Sequence, residues 1–377
     1  MSPANPKRLF TPGPITTSAA VKQAMLVDVG SRDDDFIAVV REIRQQLLAV
    51  GGVSEVEGYA AVLMQGSGTF GIESVLSSAI PADGKLLLLV NGAYGERMAQ
   101  IAARHRLPVE VLRWPEHQVT DPAAVQRRLE ADPGLTHVAL VHCETTTGIL
   151  NPVEAIGRRA RSAGRAFIVD AMSSFGGIPL SLPAAGIDFL ISSANKCVEG
   201  VPGFCFVLAR KEKLEQCEGH ARTVSLDLFE QWRGFERDGQ FRFTPPTHAL
   251  LAFAQALREL EAEGGVAGRA KRYQANHTAL VAGMTALGFR PYLPPAQQSW
   301  IITAFHYPGD PAFRFAEFYR RLAERDLVIY PGKLGQVACF RIGNIGRLTA
   351  ADIQALLDAV AVVLRSMKVR VPVAPSL

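Results

Sequence analysis

Short apolar runs alternate with amphipathic stretches over most of this chain. Residues 60–65, 86–90, 109–112, 137–141, 167–170, 187–192 and 204–208 are apolar with little alternation. That pattern predicts strands buried on both faces. Between them, 69–79 carries Phe70, Ile72, Val75 and Leu76 at helical spacing. Further helices are predicted over about 94–105, over 121–131 with Asp121 as its cap, and over 152–163 with proline at its start. Strands separated by helices give an α/β fold with a mostly parallel central sheet flanked by helices.

The texture changes after about Ala249. Residues 250–263 and 266–287 read as long amphipathic helices, the second with Leu280, Met284 and Leu287 on its apolar face. A strand over 300–305, a helix over 313–325, strands over 327–330 and 338–342 and a helix over 350–364 follow. They predict a smaller C-terminal α+β domain. The boundary is placed at Gly264–Gly265, giving 1–264 as N-terminal segment and large domain and 265–377 as small domain. Asp33, Asp34 and Asp35 read as a solvated helix start, favoured by the helix dipole.

Length and composition narrow the class. The 377 residues suit two to three domains, and 48% hydrophobic with 20% charged residues is ordinary for a soluble protein. A net charge of +4, with no dense Lys/Arg run among aromatics, argues against nucleic acid as a partner. The cysteines Cys143, Cys197, Cys205, Cys217 and Cys339 form no CxxC pair, so a reducing cytoplasm is expected. Residues 1–10 lack the apolar stretch of a signal peptide, and no window is long and apolar enough to predict a membrane span.

Five short strings carry candidate chemistry. Gln65-Gly66-Ser67-Gly68-Thr69 joins a strand to a helix. Its small residues and the N–H groups of the helix start suit a phosphate, though the same string also makes a good loop and cap. Gly66, Gly68 and Gly71 have dinucleotide-site spacing. The position that should then carry an acidic residue holds Asn91-Gly92 instead, which counts against that reading. Asp170 ends a strand, as a helix cap, an ion-pair partner or a buried anion facing a ligand. Lys196 follows Leu190 and Ile191 and precedes Cys197 and Val198. Such apolar flanks lower a lysine's pKa, as an amine nucleophile requires, where a solvated surface lysine is the alternative. A lysine and a carboxylate on neighbouring strand ends suit pyridoxal phosphate, which needs an amine for its aldehyde and an anion for its ring nitrogen. His142 to Gly148 follows a strand and offers Thr145 as a hydrogen-bond donor. Adjacent His142 and Cys143 point to opposite strand faces, which argues against a Cys/His nucleophile. Arg341, inside an apolar strand, needs an anionic partner, either structural or on a substrate.

Taken in order along the chain, these strings resemble the fold-type I pyridoxal-phosphate enzymes of the class V aminotransferase branch. Thr11-Pro12-Gly13-Pro14, 63–69, 91–95, 142–148, 168–177, 192–203 and 340–346 carry the resemblance, which spans nearly the whole chain. The resemblance implies an aminotransferase with pyridoxal 5'-phosphate as cofactor. Lys196 is implied as the Schiff-base lysine and proton carrier and Asp170 as the partner of the ring nitrogen. Ser67, Gly68, Thr69 and Ser193 are implied as the phosphate cradle, Tyr94 as the aromatic on the ring and Thr145 as the contact to the ring hydroxyl. Arg341 is implied as the anchor for the substrate anion. Thr244 is implied as a phosphate contact lent by a second subunit, hence a homodimer with shared sites. The implied small-molecule substrates are 2-aminoethylphosphonate and pyruvate, in phosphonate catabolism. Alanine–glyoxylate or serine–pyruvate exchange on the same scaffold is the alternative. Where many members have tryptophan near residues 30–33, this chain has Arg32.

Overall fold

The structure is a computed structural model that describes residues 7–332, 335 and 337–374. The first residues of the N-terminal stretch and the last of the predicted small domain lie outside them. A seven-stranded sheet forms the centre. In chain order its strands are β1 (Tyr59–Gln65), β2 (Leu86–Val90), β3 (Val109–Arg113), β4 (His137–Val141), β5 (Ala166–Asp170), β6 (Phe189–Ser193) and β7 (Phe204–Arg210). Their spatial order is β1-β7-β6-β5-β4-β2-β3. β7 runs antiparallel to both neighbours, and the other pairings are parallel. The mostly parallel sheet expected from the sequence is thus present, with one reversed strand.

Every residue of β2, β4, β5 and β6 is buried. Helices cover both faces of those strands, which is why Leu86-Leu87-Leu88-Leu89-Val90 has no polar side. β3 lies at the edge and is only half-buried. Its Glu110 pairs with Arg128 and Lys85, and charge of this kind blunts a strand edge against pairing with another chain. Asp121 caps Pro122–Ala131 as expected, accepting from the N–H groups of Ala123 and Ala124.

Besides short helices at Ala19–Gln23, Leu182–Ala185 and Lys211–Glu215, two longer helices go beyond the extents expected from the sequence. Asp34–Val50 buries Phe36, Val40, Ile43 and Leu47 against β1, and Leu228–Asp238 buries Phe229, Trp232 and Phe235 on the same strand. The aspartate run at 33–35 is the start of the first, as expected.

A second apolar cluster gathers around Phe340. It includes Phe305, Phe318, Leu280, Met284, Ile353 and, from the far N-terminal end, Phe10. Its sheet has Cys339–Gly343 in the middle, antiparallel to Ile302–His306 and to Tyr330–Pro331. The strand expected over 327–330 is divided. Leu327–Val328 pairs in parallel with Arg8–Leu9, and the chain changes partner at Ile329. Pro331 has no N–H with which to extend a ladder, so the second piece stays short.

Candidate active site

Parallel strands place their C-terminal ends on one rim of the sheet, where such folds take up ligands. The loops after β1, β2, β4, β5 and β6 all leave from this rim. They enclose a cavity of about 230 Å³ lined by Ser67, Gly68, Thr69, Tyr94, Thr145, Asp170, Ser193 and Lys196, together with Arg97 and Cys143.

Asp170 is the last residue of β5, level with Val141 of β4 and Ile191 of β6. It is 4% exposed, and Oδ1 accepts from the Met172 N–H at 2.9 Å. Burial pushes its carboxyl up to about 6, while the Met172 N–H, Lys196 and Arg97 pull it down. Lys196 lies in the turn after β6. Burial lowers its amine to about 8; Cys197, Asp170 and Cys143 oppose that fall and Arg341 adds to it. Its Nζ donates to the Pro12 carbonyl at 2.5 Å.

The loop after β1 opens the helix Gly68–Ala79. Ser67 stands at its cap position with no hydrogen bond from its side chain to the helix. Its hydroxyl and the first helical N–H groups are therefore left to a ligand. A Cβ on Gly68 would stand 2.4 Å from the Met172 sulfur, so a larger residue there would require the methionine side chain to shift. Tyr94 and Arg97 lie one helical turn apart on Ala93–Arg104. The Arg97 guanidinium is 5.0 Å from the Tyr94 ring centre and donates to Thr69 Oγ1 at 3.2 Å.

Glu144 is fully buried behind this wall. Its carboxylate accepts from the N–H groups of Tyr94 and Gly95 and from the Thr146 hydroxyl. Burial raises it to about 7 against those bonds. Arg341 is 3% exposed and lies behind Thr145 instead of lining the cavity. It donates through Nη1 to the Thr145 carbonyl at 2.8 Å and through Nε to the Pro331 carbonyl at 3.0 Å, above the Tyr330 ring.

Eight of the residues singled out from the sequence therefore share one cavity. Arg341 adjoins it. Thr244 does not enter it; it lines a separate hollow of about 300 Å³ with Ser31, Arg32 and Arg242. His142 turns away to Ser174, at 2.9 Å, and Cys143 is held near 12 by burial, so the pair forms no nucleophile. The sequence reading did not single out Arg97, Glu144 or the Pro12 carbonyl. Helical spacing from Tyr94 could have found Arg97. The other two act through contacts distant in sequence.

The family Aminotransferase class-V matches residues 19–329, and the chain belongs to it. The 2-aminoethylphosphonate–pyruvate transaminase of Salmonella typhimurium is 55% identical over 354 residues, covering 93% of this chain and 96% of that one. An alanine–glyoxylate aminotransferase from Nostoc sp. has 27% identity and a TM-score of 0.88, with 97% of each chain covered. The ureidoglycine–glyoxylate aminotransferase of Bacillus subtilis superposes with a TM-score of 0.90 over 98% of this chain and 96% of that one, at 24% identity, a likeness of fold.

The cofactor of this family is pyridoxal 5'-phosphate, and the residues present fit it. A buried lysine of lowered pKa, a buried carboxylate with one oxygen committed to the main chain, and an uncommitted cap hydroxyl at a helix start meet in one cavity.

Proposed function

We propose that the chain transfers the amino group of 2-aminoethylphosphonate to pyruvate, giving phosphonoacetaldehyde and L-alanine. The carrying observation is the buried Lys196/Asp170 pair at adjacent strand ends of one cavity, in a chain 55% identical to a transaminase of that name.

Pyridoxal phosphate, when bound, supplies an aldehyde that takes up amines and a protonated ring that draws electrons from the adjoining carbon. Lys196 would hold it covalently. At neutral pH a usable fraction of the Lys196 amine is unprotonated, because burial has lowered its pKa to about 8. When free, Nζ would take the proton from the amine-bearing carbon of the substrate. In the second half-reaction it returns a proton to the corresponding carbon of pyruvate. Asp170 Oδ2 would keep the proton on the ring nitrogen, since Oδ1 is occupied by the Met172 N–H. Ser67, Gly68, Thr69 and Ser193 would hold the phosphate, and Tyr94, steadied by Arg97, would pack on the ring. Thr145 would contact the ring hydroxyl, and Arg341, which adjoins the cavity behind Thr145, would serve as the anchor for the substrate anion. One substrate leaves before the next enters, so the kinetics are ping-pong.

The same reading includes a cytoplasmic homodimer in which Thr244 of one subunit serves the other's cofactor, and a chain division at Gly264–Gly265. Thr244 lies outside its own cavity, and the neighbouring Phe243 is 46% exposed, as a residue awaiting a partner face would be. The five cysteines are buried.

A donor and acceptor panel tests the substrates. The expected result is rapid alanine formation from 2-aminoethylphosphonate and pyruvate, with alanine–glyoxylate and serine–pyruvate pairs far slower. Activity confined to either of the last two pairs would keep the class and replace the substrates.

A further inference from the structure

Glu199 stands in the turn that carries Lys196, and its surroundings are costly. Its φ is 68°, in the left-handed region that non-glycine residues seldom occupy. It is 1% exposed, and its N–H closes onto the Lys196 carbonyl at 2.8 Å. Glu199 Oε1 receives the Tyr273 hydroxyl at 2.7 Å and Arg272 Nη2 at 2.7 Å, with Arg269 Nη1 at 3.4 Å. Arg269, fully buried, also donates to the Cys197 carbonyl at 2.5 Å. Glu263 completes the charge balance, pairing with Arg269 and Arg272 at 2.6 Å each.

The cluster reaches beyond the lysine turn. The Tyr273 hydroxyl accepts from the Gly346 N–H at 3.1 Å, and Arg272 Nη1 donates to the carbonyls of Gly346 at 2.7 Å and Leu348 at 3.2 Å. Gly346 follows the strand that holds Arg341. A single carboxylate thus ties the Lys196 turn to the helix Gly265–Ala286 and to the segment after Arg341. Buried ion clusters seldom add stability over an apolar packing of equal volume. Backbone strain beside a functional group is commonly retained for what it positions.

We propose that Glu199, acting with Tyr273 and Arg272, is a positioning residue that fixes where the Lys196 amine stands. This rests on the transaminase reading, and it concerns a residue without a chemical role of its own. Glu199 does not itself line the cavity; it acts through its N–H bond to the Lys196 carbonyl and the main chain of residues 196–200.

Three variants test it. Tyr273→Phe removes one hydroxyl and keeps the ring. Glu199→Gln keeps the shape and removes the charge. Glu199→Gly relaxes the backbone and removes the carboxylate. Cofactor-free protein is mixed with pyridoxal phosphate and covalent capture is followed by absorbance. Steady-state rates per cofactor-bearing site and melting curves are recorded on the same preparations. The expected result is capture slowed at least about 10-fold in all three, with kcat lowered about 10- to 100-fold, the scale of a misplacement near 1 Å. KM for both substrates should stay within about threefold, because the bonds of Arg341 to Thr145 and Pro331 are untouched. Wild-type capture and turnover in Tyr273→Phe and in either folded Glu199 variant, with only melting lowered, would make the cluster a structural staple and overturn the proposal. If the unaltered protein captures no pyridoxal phosphate, the transaminase reading itself fails and the inference falls with it.

Discussion

The amine of Lys196 and the carbonyl of Pro12 are joined by a 2.5 Å hydrogen bond across nearly half the chain. The Thr11–Pro14 segment therefore lies directly over the reacting nitrogen. Gly13 completes the contact, at φ +130°, and a Cβ there would stand 2.9 Å from Lys196 Nζ and Cδ. Gly13→Ala should displace the lysine and slow covalent capture of pyridoxal phosphate by about 100-fold, with the melting temperature also lowered by the strain of a side chain at this φ. Capture at the wild-type rate would show that the segment does not constrain Nζ.

Asp170 offers one free oxygen to a ring nitrogen. Asp170→Asn keeps the acceptor for the Met172 N–H and removes the charge that holds a proton on the ring. The expected loss in kcat is about 10²–10³-fold, the usual scale for a preorganised electrostatic partner. A variant retaining most of its kcat would remove Asp170 from this role.

Arg341 gives a prediction that separates binding from chemistry. Arg341→Lys should raise KM for 2-aminoethylphosphonate about 10- to 100-fold, the range of a lost charged hydrogen bond, with a smaller change in kcat. Similar KM values in variant and wild type would place the anion site elsewhere.

Glu144 makes folding depend on pH. Its pKa is raised by burial from the ordinary carboxylate range to about 7. The sign follows from linkage. The folded protein holds this proton more tightly, so the associated stability is complete below about pH 4.5 and is lost as pH rises through about 7. In cofactor-free protein, Glu144→Gln should gain on the wild type by roughly 3 kcal/mol between pH 4.5 and 8, at about 1.4 kcal/mol per pKa unit. Parallel denaturation profiles across that range would contradict the assigned ionisation.

Much of the fold is legible in the sequence because buried parallel strands write themselves as unbroken apolar runs. Leu86–Val90 and Phe189–Ser193 need no structure to be seen. The reversal of β7 is not legible, since an apolar run has no direction. Asp34–Val50 and Leu228–Asp238 do carry readable signals. Phe36, Val40, Ile43 and Leu47 have helical spacing, and Asp227 caps the second through the Glu230 N–H while Gly239 ends it at φ 76°. The site residues Ser67, Asp170 and Lys196 are visible because each sits where a strand gives way to a loop. Arg97 could have been found by its helical spacing from Tyr94, but Glu144 and Glu199 owe their importance to partners far along the chain, Tyr94 for the first and Arg272 for the second, and no local pattern announces them.

The most direct test of the central claim is the absorbance spectrum of the purified, cofactor-loaded protein during one half-reaction. 2-Aminoethylphosphonate is added without pyruvate, to the wild type and to Lys196→Ala. The account predicts that the wild-type band of the bound aldehyde form gives way to that of the amine form and returns when pyruvate is supplied. The variant should show no such exchange. A wild-type band that ignores 2-aminoethylphosphonate, or a Lys196→Ala protein that cycles as well as the wild type, would contradict it.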